Sequence, residues 1–360
     1  MVMFHHLWPW EWSTALTKVI TKFSHISWIG VDLFFVLSGF LITGILLDSR
    51  KRPHYFRNFI ARRTLRIFPA YYLFLVICLL LLPALFESFN FALPATESPL
   101  WYWLYGSNYL WAVQEFKPPE YLGITWSLAV EEQFYLLWPL AVFFLRRYFG
   151  VSLVVLISAV LLLRIWLVLS IDAWADATYM SSVCRADSLL IGAAIAYYLR
   201  SHHFSLEHWN RVVFIGFRIC LPLVIVFQLI FPGRQTPVFS ALGYTLLAVG
   251  LASLLAHVIQ EKPSFSKRIV QLPVFQWFGK YSYGIYLYHM IIWFLSHQFL
   301  NAELNVNGEP LDGHLFQPIG GSMLIDAPIR LLACTVATVV TAWLSFRLYE
   351  RHFLRLKKYF

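Results

Sequence analysis

The sequence predicts an all-α, polytopic transmembrane bundle of about ten spans, the first truncated at its N-terminus. Three observations carry this. The 360 residues are 59% hydrophobic and 13% charged, with mean hydropathy +0.63, against about 25% charged in soluble globular chains. Apolar stretches recur along the whole chain, each near the roughly 20 residues that cross a hydrocarbon core. The basic residues fall on alternate connections, as orientation in a membrane requires.

The spans read in order as 27–47, 70–86, 122–145, 151–170, 183–199, 212–231, 238–259, 274–300 and 322–346, with 1–10 as the second half of another. The aromatic segment 100–113 is too short to cross and reads as interfacial or re-entrant. With the N-terminus inside, the inner connections hold 19 Lys and Arg and the outer ones 4, while ten acidic residues lie outside. Counting 100–113 as a span would invert every later connection and destroy that asymmetry. Both termini are therefore expected in the cytoplasm. The net charge of +9 reflects topology rather than a nucleic-acid partner. Residues 1–350 read as one membrane domain and 351–360 as a basic tail lying on anionic membrane lipid. No cleavable signal peptide is evident. Cys78, Cys184, Cys220 and Cys334 lie in apolar spans without metal-ligand or disulfide spacing, so no metal site is expected.

Ionisable residues inside the spans point to function. A charge at the bilayer centre costs roughly 2.5–3.5 kcal/mol even on lenient scales, so it persists where it has a partner or a task. In 122–145, Ser127, Glu131 and Trp138 share a face at i, i+4 and i+11, and Glu132 points about 100° away. One carboxylate is expected at a site and the other paired with a neighbouring helix. Span 183–199 opens with Arg185, Ala186 and Asp187. Here self-compensation, pairing with a carboxylate such as Glu131, and neutralising an anionic substrate or oxyanion all stand open. Asp32, in Gly30-Val31-Asp32-Leu33, needs a partner, for which a histidine is natural; Gly30, Gly39 and Gly44 suit close helix approach.

His5 and His6 end the first apolar run, and His289 lies mid-span, sharing a face with Ser282 and Tyr286. A histidine beside a carboxylate makes a general base near neutral pH, although a lone buried histidine is more often structural. Segment 48–69 is more basic than orientation needs. Within it Arg62 and Arg66, with Arg63 between, present guanidinium groups suited to phosphates.

Taken together, these segments resemble the integral-membrane acyltransferase family 3 of bacterial O-acyltransferases. The motifs run in family order. A histidine ends the first span, followed by Gly30 to Ile42 (GVDLFFVLSGFLI), Arg62 to Pro69 (RRTLRIFP) and Trp126 to Tyr135 (WSLAVEEQFY). Then come Arg185-Ala186-Asp187 with Gly192, Tyr281 to His289 (YSYGIYLYH) and Tyr349-Glu350. The resemblance implies ten spans that move an acyl group, usually acetyl, from cytoplasmic acyl-CoA to an extracytoplasmic or lipid-linked acceptor. Family acceptors include O-antigen and other surface polysaccharides, peptidoglycan, Nod factors and macrolides. It implies the bacterial inner membrane, with acyl-CoA as co-substrate and a saccharide or lipid-linked glycan as acceptor. Members often add an extracytoplasmic esterase-like domain; ending at Phe360, the chain reads as the membrane form alone.

Two departures stand out. The family's first span carries an arginine, ten arbitrary residues and then its histidine, which places that arginine upstream of Met1 here and leaves the first helix under half a span. Arg351 follows Glu350 where the family usually has proline. On this reading His5, with His6 as second choice, is the base or acyl carrier, oriented by Asp32 or Glu131. Arg62, Arg63 and Arg66 grip CoA phosphates. Ser127, Arg185, Asp187, Ser282, Tyr283 and His289 contact substrate. The rival classes are a transporter, with the same groups as a proton or solute path, and a non-catalytic scaffold.

Overall fold

A computed structural model describes residues 2–7, 15–88, 96, 98–113, 119–171, 174–202, 204–231, 236–259, 265–302 and 323–360. Among the described residues every regular element is a helix. In lipid this is what backbone chemistry demands, because a helix satisfies its own N–H and C=O groups.

The short α1 (Val2–Leu7) precedes α2 (Ala15–Ile26), which turns at Ser27-Trp28 into α3 (Ile29–Ser49). After five residues α4 (Tyr55–Val76) begins and runs through a π turn at Ile77–Leu81 into α5 (Leu82–Ser88). Much of segment 48–69, read as a connection, is therefore helix. Tyr55 and Phe59 are buried at its start, and Tyr55 stacks near Phe56 and Phe143, so aromatic packing extends the helix beyond its apolar run.

Segment 100–113 forms two short helices, α6 (Leu100–Trp103) and α7 (Ser107–Val113), in line with a re-entrant element. Then follow α8 (Thr125–Phe144), α9 (Phe149–Ser170), α10 (Trp174–Met180) and α11 (Ser182–Leu199). A π turn at Gly216–Cys220 joins α12 (Leu206–Ile215) to α13 (Leu221–Ile230), and another at Phe239–Gly243 opens α14 (Tyr244–Ile259). The short α15 (Phe265–Val270), the long α16 (Pro273–Ala302) and α17 (Met323–Ser345) come next. A π turn at Phe346–Glu350 leads into α18 (Arg351–Arg355).

Seven helices among the described residues are long and apolar enough to cross a membrane. At 20 and 30 residues, α8 and α16 also have span length, and these two carry most of the polar motifs. The architecture is the polytopic helical bundle expected. One end collects the basic segment at the start of α4, Arg146 and Arg147, the start of α16 and the C-terminal tail; it is called the basic end below.

At the centre α3 packs along α11 with almost no side chain between them. A Cβ added at Gly39 would overlap the Leu189 carbonyl oxygen, and one at Gly192 would overlap the Val36 carbonyl oxygen. Lipid tails are as apolar as leucine, so such close backbone approach is a main source of helix adhesion. Gly39→Val or Gly192→Val is expected to lower stability by at least the roughly 1–3 kcal/mol of ordinary overpacking. Loss of monodisperse protein from detergent extracts, or a fall in its unfolding midpoint, is the readout.

Candidate active site

The α3–α11 contact places two ion pairs side by side. Arg185 of α11 donates to Asp32 of α3, which also accepts from the Ser188 hydroxyl at 3.1 Å; both side chains of the pair are fully buried. The Arg185 guanidinium lies 4.2 Å from the centroid of Tyr244. Asp187 accepts from Arg164 of α9 at 2.8 Å and from Thr245 of α14 at 2.6 Å. Asp32 pairs with an arginine rather than with the histidine expected. Of the readings open for Arg185, pairing with a carboxylate holds, with Asp32 in place of Glu131. Asp187, about 200° around α11 from Arg185, finds its cation on another helix instead of next door. Sequence reading passed over Arg164 because it stands alone in an apolar run, outside any motif. The signal was there, since both Arg164 and Asp187 needed a charge partner inside the membrane.

The α8 face set by 3.6-residue periodicity points inward. Ser127 donates to the Ile124 carbonyl at 3.0 Å and so accepts from the Tyr286 hydroxyl at 2.5 Å. One turn on, Glu131 accepts from Tyr135, whose hydroxyl oxygen meets the Ser38 hydroxyl of α3. Trp138 donates to Thr43 of α3 at 2.7 Å. Ser127, Glu131 and Tyr135 thus form a polar column about 12 Å tall at 1.5 Å per residue. At its lower end the Arg63 guanidinium lies 5.4 Å from the Tyr135 ring centroid, within electrostatic reach of Glu131 and Glu132. Glu132 was expected to pair with a neighbouring helix. Instead it lines a cavity, and no hydrogen bond or ion pair engages it among the described residues.

The histidines gather at the opposite end of the column. His289 Nδ1 lies 2.6 Å from the Tyr286 carbonyl, and a carbonyl only accepts, so Nδ1 carries the proton. Neutral His289 then offers Nε2 to the Nδ1 proton of His6, at 2.9 Å, with the rings stacked 5.1 Å apart. By the same logic His5 donates from Nδ1 to the Ser24 carbonyl at 2.8 Å. In both His5 and His6 the basic lone pair therefore sits on Nε2. Neither is oriented by Asp32, whose carboxylate is spent on Arg185, and Glu131 is held by Tyr135. Ser282 departs further from expectation. It is exposed and donates to the Gly279 carbonyl at 2.9 Å, on an outward face of α16 although its neighbour Tyr281 is buried.

At the basic end two cavities flank α4. One, of about 190 Å³, is lined by Arg66, Lys280, Tyr283 and Glu350. The π turn at Phe346–Glu350 brings Glu350 to it, held by Ser345 at 2.9 Å, which in turn accepts from Tyr288 at 2.9 Å. π turns recur at functional sites because they redirect side chains. Tyr283 donates to the Ile67 carbonyl at 3.3 Å, so it belongs with the arginines rather than with the histidines. The second cavity, of about 210 Å³, is lined by Arg63, Tyr105, Glu132, Gln133 and Tyr135. Arg62 and Arg66 are exposed and Arg63 half-buried.

The bundle therefore holds three polar groups rather than one chamber. Basic nitrogens lie at one end, a carboxylate column in the middle, and cation-lined cavities at the other end. The chain is similar to the putative peptidoglycan O-acetyltransferase YrhL of Bacillus subtilis, 32% identical over 312 residues, 78% of this chain and 47% of the relative. It is also similar to the peptidoglycan O-acetyltransferase OatA of Listeria monocytogenes, 29% identical over 297 residues, 76% of this chain and 47% of that protein. The O-acetyltransferase OatA of Staphylococcus aureus is 27% identical over 297 residues, 77% of this chain and 48% of that protein. The chain spans about half the length of these curated relatives. No solved structure matches. The family model described as an acyltransferase domain matches residues 1–347, nearly the whole bundle and the three polar groups apart from Glu350, and the chain belongs to that family, acyltransferase family 3.

Proposed function

We propose that the chain is a membrane-bound O-acyltransferase of a bacterial inner membrane, moving an acetyl group from cytoplasmic acyl-CoA to a saccharide hydroxyl on the outer side. The acceptor named by its relatives, peptidoglycan, is the first candidate. The charge asymmetry of the connections makes the basic end cytoplasmic and the histidine end external. The observation that carries the reading is the order of the polar groups. Cavities that place Arg66 and Lys280 beside Glu350, and Arg63 beside Glu132, lie at the donor end, and basic nitrogens lie at the acceptor end, with a buried carboxylate column between. Family membership and this order together favour transfer over transport.

In this mechanism Arg62 and Arg66 hold the CoA phosphates, with Lys280 beside them. The acceptor hydroxyl gives its proton to a histidine Nε2 as its oxygen attacks the thioester carbonyl. The C–S bond breaks, the acyl–oxygen bond remains, and the thiolate takes up a proton to leave as free CoA thiol. His6 is the better-placed base, because His289 fixes its tautomer and shares the positive charge that develops. Glu131, through Tyr135, positions the donor side of the path.

Thiol release from acetyl-CoA by the purified chain, with muropeptide as acceptor, is the direct test. Arg66→Ala is expected to raise KM for acetyl-CoA about tenfold, since a hydrogen bond to a charged group is worth about 1.5–3 kcal/mol. Glu131→Gln is expected to lower kcat about 100-fold while the protein still inserts and purifies normally. Wild-type turnover in both variants overturns the site assignment. No thiol release by the wild type overturns the function.

A further inference from the structure

The second cavity at the basic end is lined by two residues, Tyr105 and Glu132, whose side-chain polar groups have no hydrogen-bond partner among the described residues. Tyr105 forms the corner between α6 and α7 and adopts a left-handed backbone conformation, with φ of 53°. A bulky side chain there is a genuine outlier. The corner is held firmly all the same. Gln133 donates to the Tyr105 carbonyl at 2.7 Å, and the Gly106 N–H donates to the Trp101 carbonyl at 2.7 Å. The Tyr105 ring lies against Tyr71, with centroids 4.1 Å apart and an interplanar angle of 18°. Yet the Tyr105 hydroxyl, on a residue only 6% exposed, has no hydrogen-bond partner among the described residues. A buried hydroxyl left so costs about 1–3 kcal/mol.

On the facing helix, Glu132 lines the same cavity and also makes no hydrogen bond or ion pair among the described residues. Its neighbour Gln133 is fully engaged, donating to Asn108 at 3.0 Å and accepting from Ser182 at 2.5 Å. Rigid, satisfied scaffolding around two unsatisfied groups is the pattern of a preorganised binding site. The Arg63 guanidinium completes the wall.

We propose that this cavity recognises an amide of the pantetheine arm of acyl-CoA, with Tyr105 and Glu132 as the specificity-determining residues. The inference rests on the acyltransferase reading and adds the donor's arm to it. A secondary amide supplies both complements at once. Its N–H donates to the Glu132 carboxylate, and its carbonyl accepts from the Tyr105 hydroxyl with Arg63 in reach. The placement suits the length of the donor. Arg66, which faces the other cavity, lies one turn from Arg63 on α4, and Tyr135 at the inner wall touches Glu131. An arm whose phosphates rest on Arg62 and Arg66 would pass Tyr105 and Glu132 and present its thioester toward the carboxylate column.

The test uses the purified full chain and two donors, acetyl-pantetheine and the amide-free thioester S-acetyl-2-mercaptoethanol. The readout is the ratio of their kcat/KM values in the wild type, in Tyr105→Phe and in Glu132→Met. Each variant is expected to lower the preference for acetyl-pantetheine about 3- to 10-fold, the range of a net hydrogen-bond contribution. A purely structural role would lower both donors equally and leave the ratio unchanged. That result in Tyr105→Phe, which keeps the ring and its stacking, overturns the proposal. If the wild type releases thiol from acetyl-CoA but shows no preference between the two donors, the subsite alone is wrong. If it releases none from any donor, the acyltransferase reading and the subsite fall together.

Discussion

Arg185→Met is expected to destabilise the bundle by about 3–5 kcal/mol, because it strands the Asp32 carboxylate in a fully buried site. The pair spans the tightest contact in the fold, between α3 and α11, where Gly39 and Gly192 bring the backbones together. It is also incompletely satisfied. Asp32 Oδ2 and Arg185 Nε and Nη1 lack hydrogen-bond partners among the described residues. Replacing both members, Arg185→Met with Asp32→Leu, is therefore expected to recover most of the loss, since an apolar pair of similar volume avoids the desolvation of two charges. Thermal unfolding midpoints of the two single variants and the double variant in detergent measure the coupling. The same cycle decides what Arg185 is for. If it serves only Asp32, the stable double variant keeps its acyl transfer. An arginine that also neutralises substrate charge leaves that variant folded and inactive.

The helices and the inward face of α8 were legible because both follow from local rules. A span announces itself by about 20 apolar residues, and i, i+4 spacing puts Ser127 and Glu131 on one face whatever surrounds them. The partners were not legible. Sequence order does not say which helix lies beside which, so Asp32 could be assigned a histidine, and Arg185 could be assigned Glu131, with equal propriety. The actual exchange, Asp32 with Arg185 and Asp187 with Arg164, depends on α3, α9, α11 and α14 meeting at one level. Ser282 misled for a related reason. Its spacing to Tyr286 and His289 is right for one helix face, but residues 273–280 of α16 are exposed and Ser282 stays exposed beside buried Tyr281 and Gly284. Tyr105 carried no signal, since nothing in Leu104-Tyr105-Gly106 singles out the tyrosine, rather than the glycine, for the left-handed position.

His6→Ala is expected to lower kcat by about 100- to 10,000-fold, the usual contribution of a positioned general base, with little change in KM for acetyl-CoA. On the proposed reading the donor binds at the basic end, and His6 lies at the other, so ground-state binding of CoA should not register its loss. His5→Ala provides the contrast. His5 and His6 are adjacent, both protonated at Nδ1 by their partners, but His5 spends that proton on the Ser24 carbonyl of α2, which ties α1 to the bundle. His6 spends it on His289, a group that can itself accept a proton. A histidine backed by a second imidazole can spread the imidazolium charge that forms as the acceptor is deprotonated, whereas a carbonyl can only orient. His289→Gln, which keeps an acceptor within reach of His6 but cannot take up a proton, should then lower kcat less than His6→Ala and more than a conservative change elsewhere on α16. Steady-state kinetics on the three variants, alongside their unfolding midpoints, separates base from strut. Full activity in His6→Ala together with loss in His5→Ala would move the base to His5, leaving the His6–His289 pair a structural contact between α1 and α16.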